Sequence, residues 1–240
     1  NFEYYSEDPI LSGKMAVAFI KGVQSQGVGT SLKHFAVNNQ EFARMYFDSV
    51  LDERTLREIY LPAFEIAVKE GKPWTVMCSY NPINGVYAAE NPYLLRDILK
   101  EEWEYDGFVV SDWGAVNDRP SGVHAGLHLE MPGSGDVNVS KIVDAVQSGT
   151  LKVSRLDEVV AQLLSVILKA HKQRKLEECF SADRHHQLAR QAASESAVLL
   201  KNDQALLPIT QGKSLAVIGE FAKQPRFQGA GSSQVVPTKI

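Results

Sequence analysis

The sequence predicts an α/β protein organised around a parallel sheet, either a barrel or a doubly wound sheet, and three observations carry that prediction. Four short apolar runs, GTSLKHFAV, TVMCSYN, GFVVSDW and LHLEMPG, are set off by glycine, proline or asparagine, as buried strands are. Between them lie longer stretches with apolar residues at helical spacing, and strand–helix–strand repetition with short loops implies parallel pairing through right-handed crossovers. Each run also finishes in chemistry-bearing side chains: Lys33 and His34, then Met77, Ser79 and Tyr80, then Ser111 and Asp112, then Glu130 and Met131. In both architectures the C-terminal ends of the strands are where a pocket is built.

Ser12 is placed to cap a first helix with Met15, Phe19, Ile20 and Val23 on one face, and Gly27 to Gly29 stop it before the first strand. A second helix, DERTLREIYLPAFEIAVKEG, carries Leu56, Ile59, Tyr60, Phe64, Ala67 and Val68. Pro62 should kink it, and Gly71-Lys72-Pro73 breaks it before the second strand. A third, YLLRDILKEEW, follows Asn91-Pro92 and leads into GFVVSDW. In SRLDEVVAQLLSVILKAHKQ, Ser154 and Asp157 have a spacing close to a capping box, ahead of Leu156, Val160, Leu163, Leu164, Ile167 and Leu168. The strand count is short for a barrel, which has eight strands and about 250 residues.

After residue 175 a charged connector, LEECFSADRHH, precedes a helix from Gln187 to Leu200 and a turn at Asn202-Asp203. KSLAVIGEFA then reads as a buried strand ending at Gly219, followed by the Gly-Ser loop QGAGSSQVVPTKI. This shift places a domain boundary between residues 175 and 212.

A hydrophobic fraction of 44% and a net charge of -4 over 240 residues describe a mildly acidic globular chain. The 25 Lys and Arg are dispersed among 29 acidic residues, so no basic stripe favours nucleic acid. No apolar run approaches the roughly 18 residues of a membrane span. Two cysteines, Cys78 and Cys179, are too few for a disulfide framework and favour a reducing cytoplasm. The six histidines show no metal-ligand spacing.

Asp112 is the strongest candidate for chemistry, because the buried run Phe108-Val109-Val110 delivers it at a strand end, immediately before Trp113. Aspartate at such a place also caps a following turn or helix, a competing reading. The company of Lys33, His34, Met77 and Tyr80 at the other strand ends favours a pocket.

NFEYYSEDP, GVGTSLKHFAVNNQE, DERTLREIYLPAFE, VMCSYNPINGVYAAEN, GFVVSDWGAV and LEMPGSG, in that order, resemble glycoside hydrolase family 3, in wording similar to its bacterial β-glucosidases. The likeness runs through most of residues 1 to 178 and resumes in ESAVLLKN, LLPI, LAVIG and GAGSS. It implies the C-terminal portion of a (β/α) barrel in residues 1–178, with its first strands upstream. A helical linker follows over 179–212, and 213–240 begins an α/β sandwich domain.

The resemblance further implies a retaining exo-acting β-glycosidase, most simply a β-glucosidase, acting on a β-glucoside or short β-linked oligosaccharide without metal or organic cofactor. It makes Asp112 the nucleophile, Lys33, His34 and Arg44 the groups that grip the sugar, Tyr80 the hydroxyl that steadies Asp112, and Trp113 the wall of the sugar site. Arg44 is alternatively a partner of Glu41. Retaining hydrolysis needs an ionised carboxylate and a protonated acid about 5 to 5.5 Å apart. The family's acid is usually a glutamate on a later part of the chain, with Glu130 and Asp106 the nearest candidates by position. Its sugar-binding arginine would directly precede Asn1, and the Gly231-Ser232-Ser233 loop would approach the site. AVNNQE replaces the Gly- and His-rich loop of β-N-acetylhexosaminidases. A β-xylosidase stays open, as does a homo-oligomer, and so does an inactive fragment or carbohydrate-binding relic that would be poorly soluble by itself. His128 stands where the family commonly has aspartate, a change expected to install a group titrating near neutral pH at the barrel rim.

Overall fold

The computed structural model describes residues 3–174, 180–226, 234, 236, 237 and 239. Contacts divide the chain into two units, Glu3–Leu176 and Glu177–Ile240.

The first unit is built on three parallel strands, β1 (Ser31–Phe35), β2 (Thr75–Cys78) and, later in the chain, β5 (Phe108–Ser111), in the order β1-β2-β5. A small antiparallel hairpin of β3 (Pro82–Ile83) and β4 (Val86–Tyr87) lies between β2 and β5 in sequence. The predicted fourth strand is reduced to one parallel bridge, Val110 to Leu129. Its ladder stops because the Ser111 side chain, not a main-chain carbonyl, accepts the Met131 N–H at 2.8 Å.

Helix α1 (Pro9–Gln24) is capped by Asp8, whose carboxylate accepts from the amides of Ile10 and Leu11, rather than by Ser12. Proline at its first position suits this start. Its buried face is Ser12, Gly13, Ala16, Val17 and Ile20, and Met15 and Phe19 lie exposed. The small residues let it approach the second helix so closely that a Cβ on Gly13 would lie 2.9 Å from Ile66 Cβ. That helix, α2, follows Asp52 as Glu53–Thr55, Leu56–Tyr60, Pro62–Ile66 and Ala67–Gly71. The expected kink is present: the turn before Pro62 widens, with the Leu61 amide reaching Leu56. The left-handed residue that ends it is Lys72.

Helix α3 (Tyr93–Glu102) starts where the Asn91 side chain accepts the Leu94 amide at 3.1 Å. Its Leu94, Leu95, Ile98 and Leu99 join Leu61, Phe64 and Val68 of α2 and Phe35, Val76, Cys78 and Val109 of the sheet in the main core. Burying this many large side chains, at about 1.5–3 kcal/mol each, is what holds the layers together. Trp74, Phe108, Val110 and Val166 form a second cluster.

Two helices were not foreseen: α4 (Arg119–Ala125), which is too short for a clear period, and α5 (Asp136–Gln147). Helix α6 (Val153–Gln173) begins at Lys152 with no side-chain cap, so the Ser154/Asp157 capping box does not form. Val159 and Val166 are its buried residues, and Val160, Leu164, Ile167 and Leu168 are exposed.

In the second unit, α7 (Ala182–Glu195) is capped by Ser181 and starts and ends earlier than the predicted 187–200. Asn202 forms the expected turn, exchanging two 2.9 Å bonds with the main chain of Leu207. The predicted strand before Gly219 is irregular and unpaired among the described residues, with Leu215, Val217 and Ile218 exposed. A strand needs ladder partners, and this segment finds none there. Cys179 and the Gly231-Ser232-Ser233 loop lie outside the described residues.

Candidate active site

Parallel pairing brings the C-terminal ends of β1, β2 and β5 to one edge. Phe35 is opposite Cys78, and Cys78 is opposite Ser111. The residues that follow, Ser79 and Asp112, therefore emerge side by side. Ser79 fastens the turn after β1, its amide donating to Phe35 O and its hydroxyl to Ala36 O, both at 2.8 Å.

On β1 the register slips by one residue between Leu32 and Phe35, a bulge at Lys33-His34. Bulges re-aim side chains, and here two consecutive ones reach the same carboxylate. Lys33 Nζ lies 2.9 Å from Glu3 Oε1, and His34 Nε2 lies 3.5 Å from Glu3 Oε2. His34 Nε2 is also 3.5 Å from Asp112 Oδ2. Burial, then the Lys33 charge, hold the imidazole below its usual range, against the opposing pull of Asp112 and Glu3.

Asp112 is only 8% exposed. Its Oδ1 accepts the Trp113 amide at 2.7 Å, leaving Oδ2 on the His34 side. It caps no helix: α4 is capped by Asp118, which accepts the Ser121 amide at 3.0 Å. The helix-capping reading of Asp112 is thereby set aside, although Asp112 does open the following turn, its carbonyl accepting the Ala115 amide at 3.1 Å. Trp113, half exposed, presents a broad apolar surface beside the carboxylate.

Tyr80 donates to the Trp113 carbonyl at 3.0 Å, and burial and the adjacent Asp112 push its hydroxyl up to about 12. The Arg44 guanidinium sits 4.6 Å from the centre of the Tyr80 ring and pairs with Glu41 at 2.8 Å. The pairing of Arg44 with Glu41 is thus present, in a position stacked on the Tyr80 ring. Met77 is partly buried and packs against the second apolar cluster.

Among carboxylates, Glu130 accepts from Asn138 at 2.7 Å and faces Arg119 at 3.9 Å, which are structural contacts. The Asp106 carbonyl accepts from Gln162, consistent with a turn residue. Glu3 was missed by the sequence reading; the signal was an acidic residue among the aromatics of NFEYY.

His128 requires a correction. Its Nδ1 accepts the Val109 amide at 3.0 Å, and burial, then Arg155, Lys100 and Arg119, lower its pKa to about 3. It is therefore a neutral structural histidine, not one that titrates near neutral pH. Cys78 is buried and unreactive, its thiol pushed up to about 12 chiefly by desolvation.

Among the described residues, no group of His, Cys, Asp and Glu forms a metal-sized cluster, and no helix is long and apolar enough to cross a membrane.

Residues 1–166 match the family model described as the glycosyl hydrolase family 3 N terminal domain. The chain belongs to glycosyl hydrolase family 3. Within this family it is similar to thermostable beta-glucosidase B of Acetivibrio thermocellus, 57% identical over 240 residues, covering 100% of this chain and 32% of that protein. It is 49% identical over 249 residues to the exo-alpha-(1->6)-L-arabinopyranosidase of Bifidobacterium longum, covering 100% of this chain and 33% of that one. Among solved structures, the GH3 beta-glucosidase of Bifidobacterium adolescentis superposes with a TM-score of 0.94 at 50% identity, over 100% of this chain and 35% of that one. Beta-glucosidase 3B of Thermotoga neapolitana, in complex with alpha-D-glucose, gives 0.92 at 42% identity, over 99% and 34%. The chain thus spans about a third of the length of the curated relatives it matches.

Proposed function

We propose that the protein is a retaining exo-β-glycosidase, a β-glucosidase that releases terminal β-D-glucosyl residues through a covalent glycosyl-aspartate on Asp112. The observation that carries this reading is the placement of Asp112. A buried carboxylate at a strand end, with one oxygen bonded to its own neighbour's amide and the other turned towards His34, serves no helix. The names of the relatives at 57% and 44% identity support the choice of glucoside.

In this reading Asp112 Oδ2 attacks the anomeric carbon as the leaving oxygen is protonated, and water later releases the sugar. Lys33, His34 and Arg44 donate to glycone hydroxyls, and Trp113 packs against the C–H faces of the ring. The Tyr80 hydroxyl, bonded to the Trp113 carbonyl, keeps that segment in place beside the nucleophile. The Glu3 carboxylate is engaged by Lys33 and His34, rather than standing open to a leaving group. The acid is therefore assigned to neither Glu3, Glu130 nor Asp106.

The same reading makes residues 1–178 part of a (β/α) barrel, 179–212 a linker and 213–240 the beginning of an α/β sandwich. It takes a β-glucoside or short β-linked oligosaccharide as substrate. The scarcity of cysteine supports a cytoplasmic enzyme.

The test is exposure of the full-length gene product to a 2-fluoro glucoside with an activated leaving group, followed by peptide mapping. A glycosyl adduct on Asp112 is expected, and an unlabelled, folded protein would favour the inactive relic. A pentopyranoside substrate is the second reading, favoured by the arabinopyranosidase relative at 49% identity. Comparing kcat/KM on 4-nitrophenyl β-D-glucoside, β-D-xyloside and α-L-arabinopyranoside separates the two.

A further inference from the structure

Glu3 makes contacts that the proposed chemistry does not by itself require. Its two carboxylate oxygens are divided between the two side chains of the β1 bulge, Oε1 to Lys33 at 2.9 Å and Oε2 to His34 at 3.5 Å. The segment that carries it is fastened independently. Tyr4 donates to the Asn38 carbonyl at 3.5 Å, Ser12 donates to the Ser6 carbonyl at 2.8 Å, and Asp8 caps α1. The chain on the C-terminal side of Glu3 therefore has anchors of its own that set where the carboxylate stands.

The two groups it meets differ in what they gain. His34 is buried and already confined by its surroundings. Lys33 is more than a third exposed, on a flexible four-carbon stem, so a fixed anionic partner decides where its ammonium stands. An exposed ion pair of this kind contributes little to stability, but placing a donor to within a fraction of an ångström matters for binding.

We propose that Glu3 is a positioning residue of this site, holding the Lys33 ammonium in place beside the His34 imidazole and Asp112 so that Lys33 and His34 address the same bound sugar. This rests on the glycosidase reading for its substrate. It makes Glu3 a determinant of glycone affinity without contact with the reacting atoms.

The experiment compares the wild-type full-length gene product with Glu3→Gln and Glu3→Asp. On 4-nitrophenyl β-D-glucoside, Glu3→Gln raises KM about tenfold with a much smaller change in kcat, the size expected when one charge-assisted hydrogen bond is lost. Glu3→Asp, which keeps the charge on a shorter stem, recovers part of that loss. The second measurement is the NMR titration of His34. The cations Lys33 and Arg44 and the anions Asp112 and Glu3 act on this imidazole. Removing the Glu3 charge leaves burial and the two cations less opposed, so His34 titrates lower in Glu3→Gln than in wild type.

An unchanged KM, or an unchanged His34 titration, overturns the proposal. Equal losses in kcat and KM effects for both variants, with a lowered Tm, would also overturn it, by making Glu3 a packing residue. Wild-type labelling of Asp112 by the 2-fluoro glucoside reports separately on the glycosidase reading. If that fails, the His34 titration still decides whether Glu3 controls the bulge.

Discussion

His34 Nε2 stands 3.5 Å from Asp112 Oδ2 and 3.5 Å from Glu3 Oε2. Both separations exceed a normal N–H···O bond, and one N–H can point at only one acceptor. The imidazole is thus poised between two carboxylates and committed to neither, leaving its donor available to a sugar hydroxyl. His34→Ala is expected to lower kcat/KM by about tenfold, the loss of one hydrogen bond between uncharged groups. The check is steady-state kinetics on 4-nitrophenyl β-D-glucoside. Because burial and Lys33 hold His34 below its usual range, it is neutral at pH 7, and protonation of His34 limits activity only in more acid solution.

Asp112→Asn is expected to abolish trapping by the 2-fluoro glucoside and to reduce kcat by a thousandfold or more (order of magnitude for a lost nucleophile). Asp118→Ala is the control on the same stretch of chain. It removes the cap of α4, at about 1 kcal/mol, and should lower Tm while leaving Asp112 able to be labelled.

Tyr80→Phe removes the donor to the Trp113 carbonyl and keeps the ring beneath Arg44. A stability loss of about 1 kcal/mol is expected, with a larger proportional fall in kcat than in Tm-derived stability. Urea unfolding and kinetics on the same preparation make the comparison.

His128 links acidity to stability. Unfolded, it takes up a proton near 6.5, but folded only near 3. Between these values the unfolded chain binds more protons, so stability rises with pH across that window and is lost progressively as pH falls through it. His128→Asn keeps an acceptor for the Val109 amide and does not titrate. Tm measured from pH 7 to pH 4 should therefore fall less steeply in the variant.

Gly107 precedes β5 where a Cβ would meet the Tyr105 hydroxyl at 2.2 Å and the Trp74 carbonyl at 2.4 Å. Main chain cannot yield as a flexible side chain can. Gly107→Ala is expected to destabilise by about 2–3 kcal/mol, read by denaturant titration, through a shift of β5 that also carries Asp112.

The three strands that carry Lys33, His34, Tyr80 and Asp112 were legible because each is a buried apolar run with a polar finish, and burial imposes that pattern directly. The Pro62 kink was legible because a missing amide has only one consequence in a helix. The cap of α1 was not. Asp8 and Ser12 are both competent caps, and Ser12 is instead turned into the fold on the buried face of α1, where its hydroxyl donates to the Ser6 carbonyl. The fourth strand failed because a Ser111 side chain took a ladder bond, a competition no periodicity reveals. The segment ending at Gly219 has a strand's composition without a ladder partner among the described residues. Within the site, Glu3 and Lys33 are 30 residues apart in sequence, and nothing local signals that they meet. His128 departs from the ordinary imidazole because burial among cations, invisible in the sequence, sets its titration.

The bulge on β1 makes residue count a functional quantity. In a regular strand the parity of a position decides which face its side chain takes, and neighbours such as Lys33 and His34 would part company. The single extra residue cancels that alternation once, at the place where two donors must converge on one carboxylate. Deleting one residue between Leu32 and Phe35 would restore a perfect ladder with β2 and, by doing so, send two partners of Glu3 to opposite faces: the irregularity is the message, and a tidier strand would say something else.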